Sequence, residues 1–371
     1  MKKSRVSSAA SAAWRLRSAG EPAAVLLLTA VLAGCGLGPA GPLDTRLVPA
    51  PAGCALPQPG PAHVIALAKD IGDPGKRPTP RDAAALFRHP IAIPLPGESA
   101  QIDFQSLDTA GNRLFIADVS GGSIALFDLA DLTVTGTTGP IGAARGMTYV
   151  AGTNRVFVAD PADRSVVVLD PASRHVVTRI PLGGAAASTV YDAASGCVLV
   201  SVPDRNALIA IDPGTATVSG AFVLADGDRP AALALDAADR LLFIANSGRA
   251  TMTVVSLRSM EVVDVAPTGT PARDMAFDAT WHRLYVITDN GRLSGYDLRR
   301  SRLFLTGVLD DIVASGIAVD PRSHTVYLAT NSAERHPSLH IFEGVAPKAP
   351  RCVFHHATTG SPCFARYAPT R

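Results

Sequence analysis

Short runs of apolar and β-branched residues return along the chain at a nearly constant interval. Polar or turn-forming residues bound each run, a pattern that predicts buried or half-buried strands rather than helices. RVFVAD at 155–160 followed by SVVVLD at 165–170 shows it clearly. Equivalent runs are spaced 42, 42, 44, 42 and 42 residues apart, and they begin at Arg113, Arg155, Cys197, Leu241, Arg283 and Thr325. So regular a period predicts stacked or ringed modules.

Each repeat contains four segments with strand character. A short apolar strand such as DMAF at 274–277 comes first, the RVFVAD type second, the SVVVLD type third, and an amphipathic type such as HVVTRIPLG at 175–183 fourth. Turns rich in Gly, Asp, Asn and Pro separate them. Four antiparallel strands in about 42 residues match one blade of a β-propeller. Patterns typical of crossover helices are missing, which argues against a parallel α/β sheet. The predicted fold class is therefore an all-β propeller.

The repeats resemble the YVTN-type β-propeller family, whose blades carry the pattern rlYVaN…ntVsviD…tgkvvatipvG. The matching stretches are RLYVIT at 283–288, RLFIAD at 113–118 with SIALFD at 123–128, and HVVTRIPLGG at 175–184. The resemblance extends over 90–344. It implies the propeller fold but no single function, because the family includes surface proteins, binding proteins and many members of unassigned role.

The sequence favours six blades, although seven is common among such propellers. The last repeat has three strands, and its missing fourth strand resembles PIAIPLPG at 90–97, ahead of the first repeat. Pairing this segment into the last blade would close the ring and cover an open strand edge. A seventh blade would need 63–71 together with the carboxy-terminal tail. TPRDAAALFRH at 79–89 predicts a short helix, with Thr79 as its cap and Pro80 in its first turn.

Residues 1–34 have the composition of an export signal. A basic stretch precedes the apolar run AAVLLLTAVLA at 23–33, which is short for a transmembrane helix. The run ends in Leu32-Ala33-Gly34-Cys35, which resembles the bacterial lipobox. The resemblance implies lipidation of the Cys35 thiol, cleavage before it, and anchoring by acyl chains such as palmitate. An ordinary signal peptide with a coincidental cysteine is the alternative. Gly36 after the cysteine favours the outer membrane of a two-membrane bacterium, with the domain in the periplasm.

Composition and charge fit an exported, turn-rich protein. Charged residues make up 18% of the chain, with 32 Gly and 29 Pro. Without residues 1–34 the chain has 29 basic and 31 acidic residues, a formal charge of −2, which leaves no electrostatic footprint for nucleic acid. The predicted organisation is a signal peptide (1–34), a lipidated cysteine with a Gly/Pro/Ala tether (35–62), an N-terminal segment with the short helix (63–89), the propeller (90–344) and a cysteine-containing tail (345–371).

The sequence carries no recognisable catalytic motif. GLGPAG at 36–41 has the G-x-G-x-x-G spacing, but it lies in the predicted tether without the strand and helix that a dinucleotide site needs. Aspartates recur at the ends of strands, where we expect their carboxylates to bond backbone N–H groups of the following turn. They are Asp128, Asp170, Asp212 and Asp297 after third strands, and Asp192, Asp236, Asp278 and Asp320 after first strands.

The mouth of the central channel is the predicted ligand site, because the first strands converge there. Aligning the blades gives one equivalent position, occupied by Asp103, Arg145, Ala187, Ala231, Arg273 and Ser315. Arg145 and Arg273 belong to blades that face each other across a six-membered ring, and Arg229 and Asp274 add polar groups nearby. Converging guanidinium groups can bind a carboxylate or phosphate through forked hydrogen bonds. The alternative is that each arginine pairs with a neighbouring acid or lines a wet channel.

The cysteines predict a disulfide in the tail. Cys352 and Cys363 flank CVFHHATTGSPC, and outside the cytoplasm a disulfide is favoured over a zinc or copper site built from these thiols and the two histidines between them. The rival pairing joins Cys54 to one of the tail cysteines. Cys197 begins a blade strand and is predicted to be a free, half-buried thiol.

Two functions from different classes fit the sequence. The favoured one is a membrane-tethered binding or scaffold protein for a partner protein, a glycan or a small anionic ligand, with no cofactor. The alternative is an enzyme of the lactonase or lyase kind with a metal on the channel axis. Such a metal needs several inward carboxylate or amide ligands. The equivalent channel positions supply one Asp beside two Arg, two Ala and one Ser, so no metal site is predicted there.

Overall fold

Each of the six repeats folds into a four-stranded antiparallel sheet, as the apolar pattern predicts. The computed structural model describes residues 53–57, 86–95, 102–224, 228–310, 312, 314–332 and 335–347, which all belong to one unit, Pro42–Arg371. Among the described residues, the 3-10 turns Ala151–Thr153 and Pro203–Arg205 each connect two successive strands. Within the described ranges, no helix has the length and apolar character to cross a lipid bilayer.

The strands follow one another in chain order within each blade. Blade 1 has β2 (Ile102–Asp108), β3 (Arg113–Asp118), β4 (Ser123–Asp128) and β5 (Thr133–Thr138). Blade 2 has β6 (Met147–Val150), β7 (Arg155–Asp160), β8 (Ser165–Asp170) and β9 (His175–Pro181). Blade 3 has β10 (Ser188–Asp192), β11 (Cys197–Val202), β12 (Ala207–Asp212) and β13 (Thr217–Val223). Blade 4 has β14 (Pro230–Asp236), β15 (Leu241–Asn246), β16 (Thr251–Ser256) and β17 (Glu261–Pro267). Blade 5 has β18 (Ala272–Asp278), β19 (Arg283–Thr288), β20 (Leu293–Arg299) and β21 (Arg302–Leu309). Blade 6 has β22 (Ala314–Asp320), β23 (Thr325–Ser332), β24 (Arg335–Gly344) and, from the amino-terminal side, β1 (Phe87–Pro94).

The core lies between neighbouring blades, which explains the nearly continuous apolar runs of the second and third strands. Every residue of β11 and β12 is buried, because blades on either side cover both faces of the sheet. Between blades 4 and 5 the rings of Phe243 and Phe277 lie 5.0 Å apart. The fourth strands alternate exposed and half-buried residues, as in β9, since they form the outer edges of the ring.

The amino-terminal strand closes the ring, and the count of six blades is confirmed. Strand β1 pairs antiparallel with β24, with Ile91 opposite Ile341 and Ile93 opposite Leu339. Pro90 and Pro94 are tolerated because β1 is an edge strand. The strand begins at Phe87, so residues 87–89 are extended and the helix predicted over 79–89 is wrong for that end. The remainder of that helix, and 63–71 of the alternative seventh blade, lie outside the described residues.

Close packing of the first strands narrows the centre of the ring. Each first strand packs against the first strands of both neighbouring blades, and β22 of blade 6 packs against β2 of blade 1. A Cβ atom on Gly316 would collide with the carbonyl oxygen of Asp103 in that contact. At Gly146 a Cβ atom would lie 2.5 Å from the Cα atom of Ser188 in the next blade. Glycine at these points lets the strands approach closely enough to form the channel.

A disulfide joins Cys54 to Cys197, 143 residues apart, which corrects two predictions. Cys197 is not a free thiol, and Cys54 does not pair with the tail. The cause is burial, because Cys54 is 1% exposed in an apolar cluster with Leu199 and Leu208 of blade 3. The Ala55 N–H also donates to the carbonyl oxygen of Ser195 at 2.9 Å, which makes the segment 53–57 part of the propeller surface. The predicted pairing of the tail cysteines lies outside the described residues.

The recurring aspartates take the turn role that the sequence predicts, with one exception. A carboxylate oxygen of Asp170 accepts the N–H of Ala172 at 2.9 Å, and the turn acids of the other blades follow the same geometry. Asp297 instead accepts the guanidinium Nε–H of Arg283 at 2.8 Å. The side chain of Arg283 is 2% exposed, so this is a buried ion pair.

Candidate functional site

The central channel has a cavity at each face of the ring. We call one face the arginine face, because Arg145, Arg229 and Arg273 line its cavity. This face carries the turns between second and third strands, such as 161–164 and 203–206, and its cavity has a volume of about 330 Å³. The opposite face carries the turns between first and second strands, such as 193–196 and 237–240, and its cavity has a volume of about 320 Å³. Phe104 lines both cavities and so lies between them. Each cavity has the volume of a small-molecule site.

Three arginines from three blades line the cavity of the arginine face: Arg145, Arg229 and Arg273. Arg145 lies two residues before the first strand of blade 2, and its N–H donates to the carbonyl oxygen of Ala159 at 2.8 Å. Arg229 directly precedes the first strand of blade 4 with φ of 51°, and its N–H donates to Oδ1 of Asn206 at 2.8 Å. Arg273 sits at an irregularity in the register of β18 and β19, a feature that often redirects a side chain.

The guanidinium groups of these arginines have no paired carboxylate in the described part of the chain. All three residues are exposed, and no described Asp or Glu oxygen lies within 4.0 Å of their nitrogens. Asp289, exposed at the rim, supplies the carboxylate among the described residues that line this cavity. Three converging positive charges against one exposed negative charge make the cavity attractive to an anion.

Asp103 does not line either cavity, but it lies within electrostatic range of two of the arginines. Burial raises the pKa of its carboxyl group to about 6, and the positive charges of Arg273 and Arg145 limit that rise. Its Oδ1 atom is buried without a hydrogen-bond partner among the described residues.

The other predicted channel residues do not all join the arginines, and Ser315 lines neither cavity. Ala187 and Ala231 line the arginine face, as their alignment with Arg145 predicts. The Ser315 hydroxyl donates to the carbonyl oxygen of Ile102 at 2.7 Å. Asp274 lines the opposite cavity instead of joining the arginines.

Asp274 joins two blades. Its Oδ1 atom accepts the N–H of Met275 and its Oδ2 atom accepts the N–H of Ile317 in blade 6, each at 2.9 Å. The side chain is buried, and burial raises the pKa of its carboxyl group to about 8 in spite of these two hydrogen bonds. The group holds a proton at neutral pH, so it does not add a full negative charge to the channel.

The two raised pKa values predict that the propeller is less stable at higher pH. In the unfolded chain both carboxyl groups ionise near pH 4, whereas in the folded protein Asp103 ionises at about 6 and Asp274 at about 8. The folded state therefore binds more protons between pH 4 and 8, and the free energy of unfolding falls as pH rises through that window. Chemical denaturation at several pH values should show this fall. Asp274→Asn should flatten it, whereas substitution of the exposed Asp131 by Asn should not.

A second cluster of ionisable residues escaped the sequence analysis. Asp236, Asp239 and His282 place one ligand-type atom each within 4.8 Å of one another, and they are the group of metal-binding type among the described residues. They lie where blade 4 meets blade 5, outside the described lining of either cavity. The sequence predicts a turn role for Asp236 and assigns no role to Asp239 or His282. Asp236 and Asp239 belong to one repeat and His282 to the next. Aligning adjacent repeats, 42 residues apart, is the signal that could have placed these residues together.

Comparison with known proteins adds information about the fold. No family model and no curated protein matches the chain. A solved structure of hydrazine synthase from Kuenenia stuttgartiensis matches with a TM-score of 0.53 and 14% identity, over 66% of this chain and 96% of that chain. The common feature is the propeller fold. The resemblance of the repeats to the YVTN type stays an interpretation of the residues, since no family model matches.

Proposed function

We propose that this protein is a membrane-tethered, extracytoplasmic binding protein that takes a small anionic ligand at its arginine face. The observation that carries the proposal is the convergence of Arg145, Arg229 and Arg273 on one cavity without a paired carboxylate in the described part of the chain. A guanidinium group presents planar pairs of N–H donors that match a carboxylate or a phosphate. The ring of blades holds these donors in place before the ligand arrives, which reduces the entropy lost on binding.

The arginines define the class of ligand. Asp103 lies within electrostatic range of Arg145 and Arg273, but its buried Oδ1 atom does not line the cavity. The groups available to a ligand are therefore guanidinium donors, which suit the carboxylate of a small organic acid or amino acid, or a phosphate.

The tether and the compartment rest on separate support. The lipobox-like Leu32-Ala33-Gly34-Cys35 favours attachment to a membrane through Cys35. The disulfide between Cys54 and Cys197 is typical of proteins that fold in an oxidising compartment, outside the cytoplasm. Both features agree with a domain held at a membrane surface in the cell envelope.

Calorimetric titration with phosphate, lactate and serine tests the site. We expect the variant Arg145→Ala/Arg273→Ala to bind its best ligand about 100-fold more weakly than wild type, because two charge-assisted hydrogen-bonding groups are lost. Arg145→Lys/Arg273→Lys keeps both charges but loses the forked geometry of the guanidinium groups. We expect its affinity to lie between that of wild type and that of the alanine double variant.

The control removes two positive charges elsewhere on the surface. Arg300→Ala/Arg302→Ala changes the net charge equally, at residues outside the described lining of the channel, and should change the affinity by less than about 2-fold. Equal binding by wild type and the channel variant would contradict the proposal. It would move recognition to the blade rims or the tail.

A further inference from the structure

Two junctions between successive blades share one arrangement, in which the aspartate at the end of a first strand links the two blades. One carboxylate oxygen of this aspartate accepts backbone N–H groups of the turn in its own blade. The other oxygen contacts a residue with positive φ that precedes the second strand of the next blade. At the junction of blades 3 and 4, Oδ2 of Asp192 lies 2.8 Å from the guanidinium of Arg240. At the junction of blades 5 and 6, Oδ2 of Asp278 lies 2.8 Å from Nδ1 of His324.

The junction of blades 4 and 5 departs from this arrangement. Oδ1 of Asp236 accepts the N–H groups of Ala238 and Asp239, each at 3.1 Å, so its orientation is fixed. Its side chain is 0% exposed, and its Oδ2 atom has no hydrogen-bond partner among the described residues. Nδ1 of His282 lies 3.7 Å away, too far for a hydrogen bond. A buried carboxylate oxygen is thus directed at an imidazole across a gap.

A third ligand-type atom completes the cluster. Oδ2 of Asp239 lies 3.8 Å from the same Nδ1 of His282. The equivalent residue is Ser195 at the junction of blades 3 and 4, where it donates to Asp192 at 2.6 Å. It is Trp281 at the junction of blades 5 and 6, where it stacks on His324 with ring centroids 3.6 Å apart. Two carboxylates around one imidazole occur at this junction and not at the two compared with it.

We propose that Asp236, Asp239 and His282 bind a divalent transition-metal ion, with zinc as the best fit, and that the ion bridges blades 4 and 5. Ligands of a tetrahedral zinc ion at 2.0 to 2.2 Å stand about 3.3 Å apart. The two gaps to Nδ1 of His282, 3.7 and 3.8 Å, would close by a few tenths of an ångström, and all three ligand-type atoms lie within 4.8 Å of one another. An ion would give Oδ2 of Asp236 the partner that it lacks. Since His282 and Asp239 are partly exposed, water can fill the fourth position.

The test uses the full-length protein stripped of metal with a chelator. Wild type should bind one equivalent of Zn²⁺ through this site in calorimetric titration, and Co²⁺ in its place should show the visible absorption of a tetrahedral complex. His282→Arg and Asp239→Ser reproduce the residues that the junction of blades 3 and 4 already contains, so both variants are expected to fold. Each should lose the Co²⁺ spectrum and bind Zn²⁺ at least about 10-fold more weakly.

The tail offers a competing set of ligands, which a further variant separates. His355→Ala/His356→Ala removes the imidazoles of the tail. This variant should still bind one equivalent of Zn²⁺ at the junction of blades 4 and 5. Zinc binding that persists unchanged in both His282→Arg and Asp239→Ser would overturn the proposal. So would a wild-type protein, folded by circular dichroism, that binds no zinc at all.

Discussion

Replacement of Cys197 by serine is expected to lower the free energy of unfolding by about 5 kcal/mol. The disulfide closes a loop of 143 residues, and loop-closure entropy of the unfolded chain gives about this figure at 25 °C. The loss also frees the segment around Cys54, which is otherwise 1% exposed. Urea denaturation monitored by tryptophan fluorescence measures the change.

The double variant Cys54→Ser/Cys197→Ser provides the matched comparison. Because the two thiols contribute through one bond, the double variant should lose about as much stability as either single variant, and wild type in reductant should behave like all three. Additive losses in the double variant would show that the cysteines act separately. Resistance of Cys54 and Cys197 to alkylation before reduction would independently verify the bond.

Arg283→Met is expected to cost about 3–5 kcal/mol, because it leaves Asp297 buried without its nearest cation. The Nε–H of Arg283 donates to Asp297 at 2.8 Å, and a terminal N–H donates to the carbonyl oxygen of Val345 at 2.6 Å. Val345 directly follows β24, the strand that pairs with β1. The arginine therefore connects blade 5 to the point of ring closure. Thermal and urea unfolding should both show the loss.

Asp297 has a second cation, which supplies the control. Arg299 lies 3.2 Å from the other oxygen of Asp297, but its side chain is 45% exposed. Arg299→Met should therefore cost less than about 1 kcal/mol. The double variant Arg283→Met/Asp297→Leu should recover much of the stability, since no unpaired charge is left buried. Similar losses from the two arginine variants would contradict the special role of Arg283.

The repeat pattern predicts the propeller because it reports burial on both faces of each blade. A run such as RVFVAD at 155–160 is buried because neighbouring blades cover both faces of its sheet. Local sequence was therefore sufficient to predict the strands of the blades. The closure of the ring was predictable as well, since PIAIPLPG at 90–97 supplies the strand that the last repeat lacks. The start of that strand at Phe87 was not, because AAALF at 83–87 has helical propensity and does not reveal that Phe87 pairs with Gly344 of β24.

The channel residues were predictable only as far as they follow the alignment of blades. Arg145 and Arg273 share a cavity because equivalent positions of the blades meet at the axis, and Arg229 lies two residues before Ala231, the equivalent position of its own blade. Asp274 follows Arg273 by one residue but lines the other cavity, because the register of β18 and β19 is irregular at this point and redirects the side chains. The partner of Cys54 could not be predicted, because the contact joins segments 143 residues apart and depends on where the amino-terminal segment crosses the ring.

The attachment of Cys54 also decides where a mechanical load on the amino terminus would enter the domain. Cys54 and Ala55 lie beside the turn at 193–196, on the face opposite the arginines. With a lipid at Cys35, the load would pass through residues 36–53, 18 residues that reach at most about 60 Å, before it met the disulfide. It would not reach β1, whose pairing with β24 keeps the ring closed. The force would then act on blade 3, and the arginine face would lie on the side opposite the point where the force is applied.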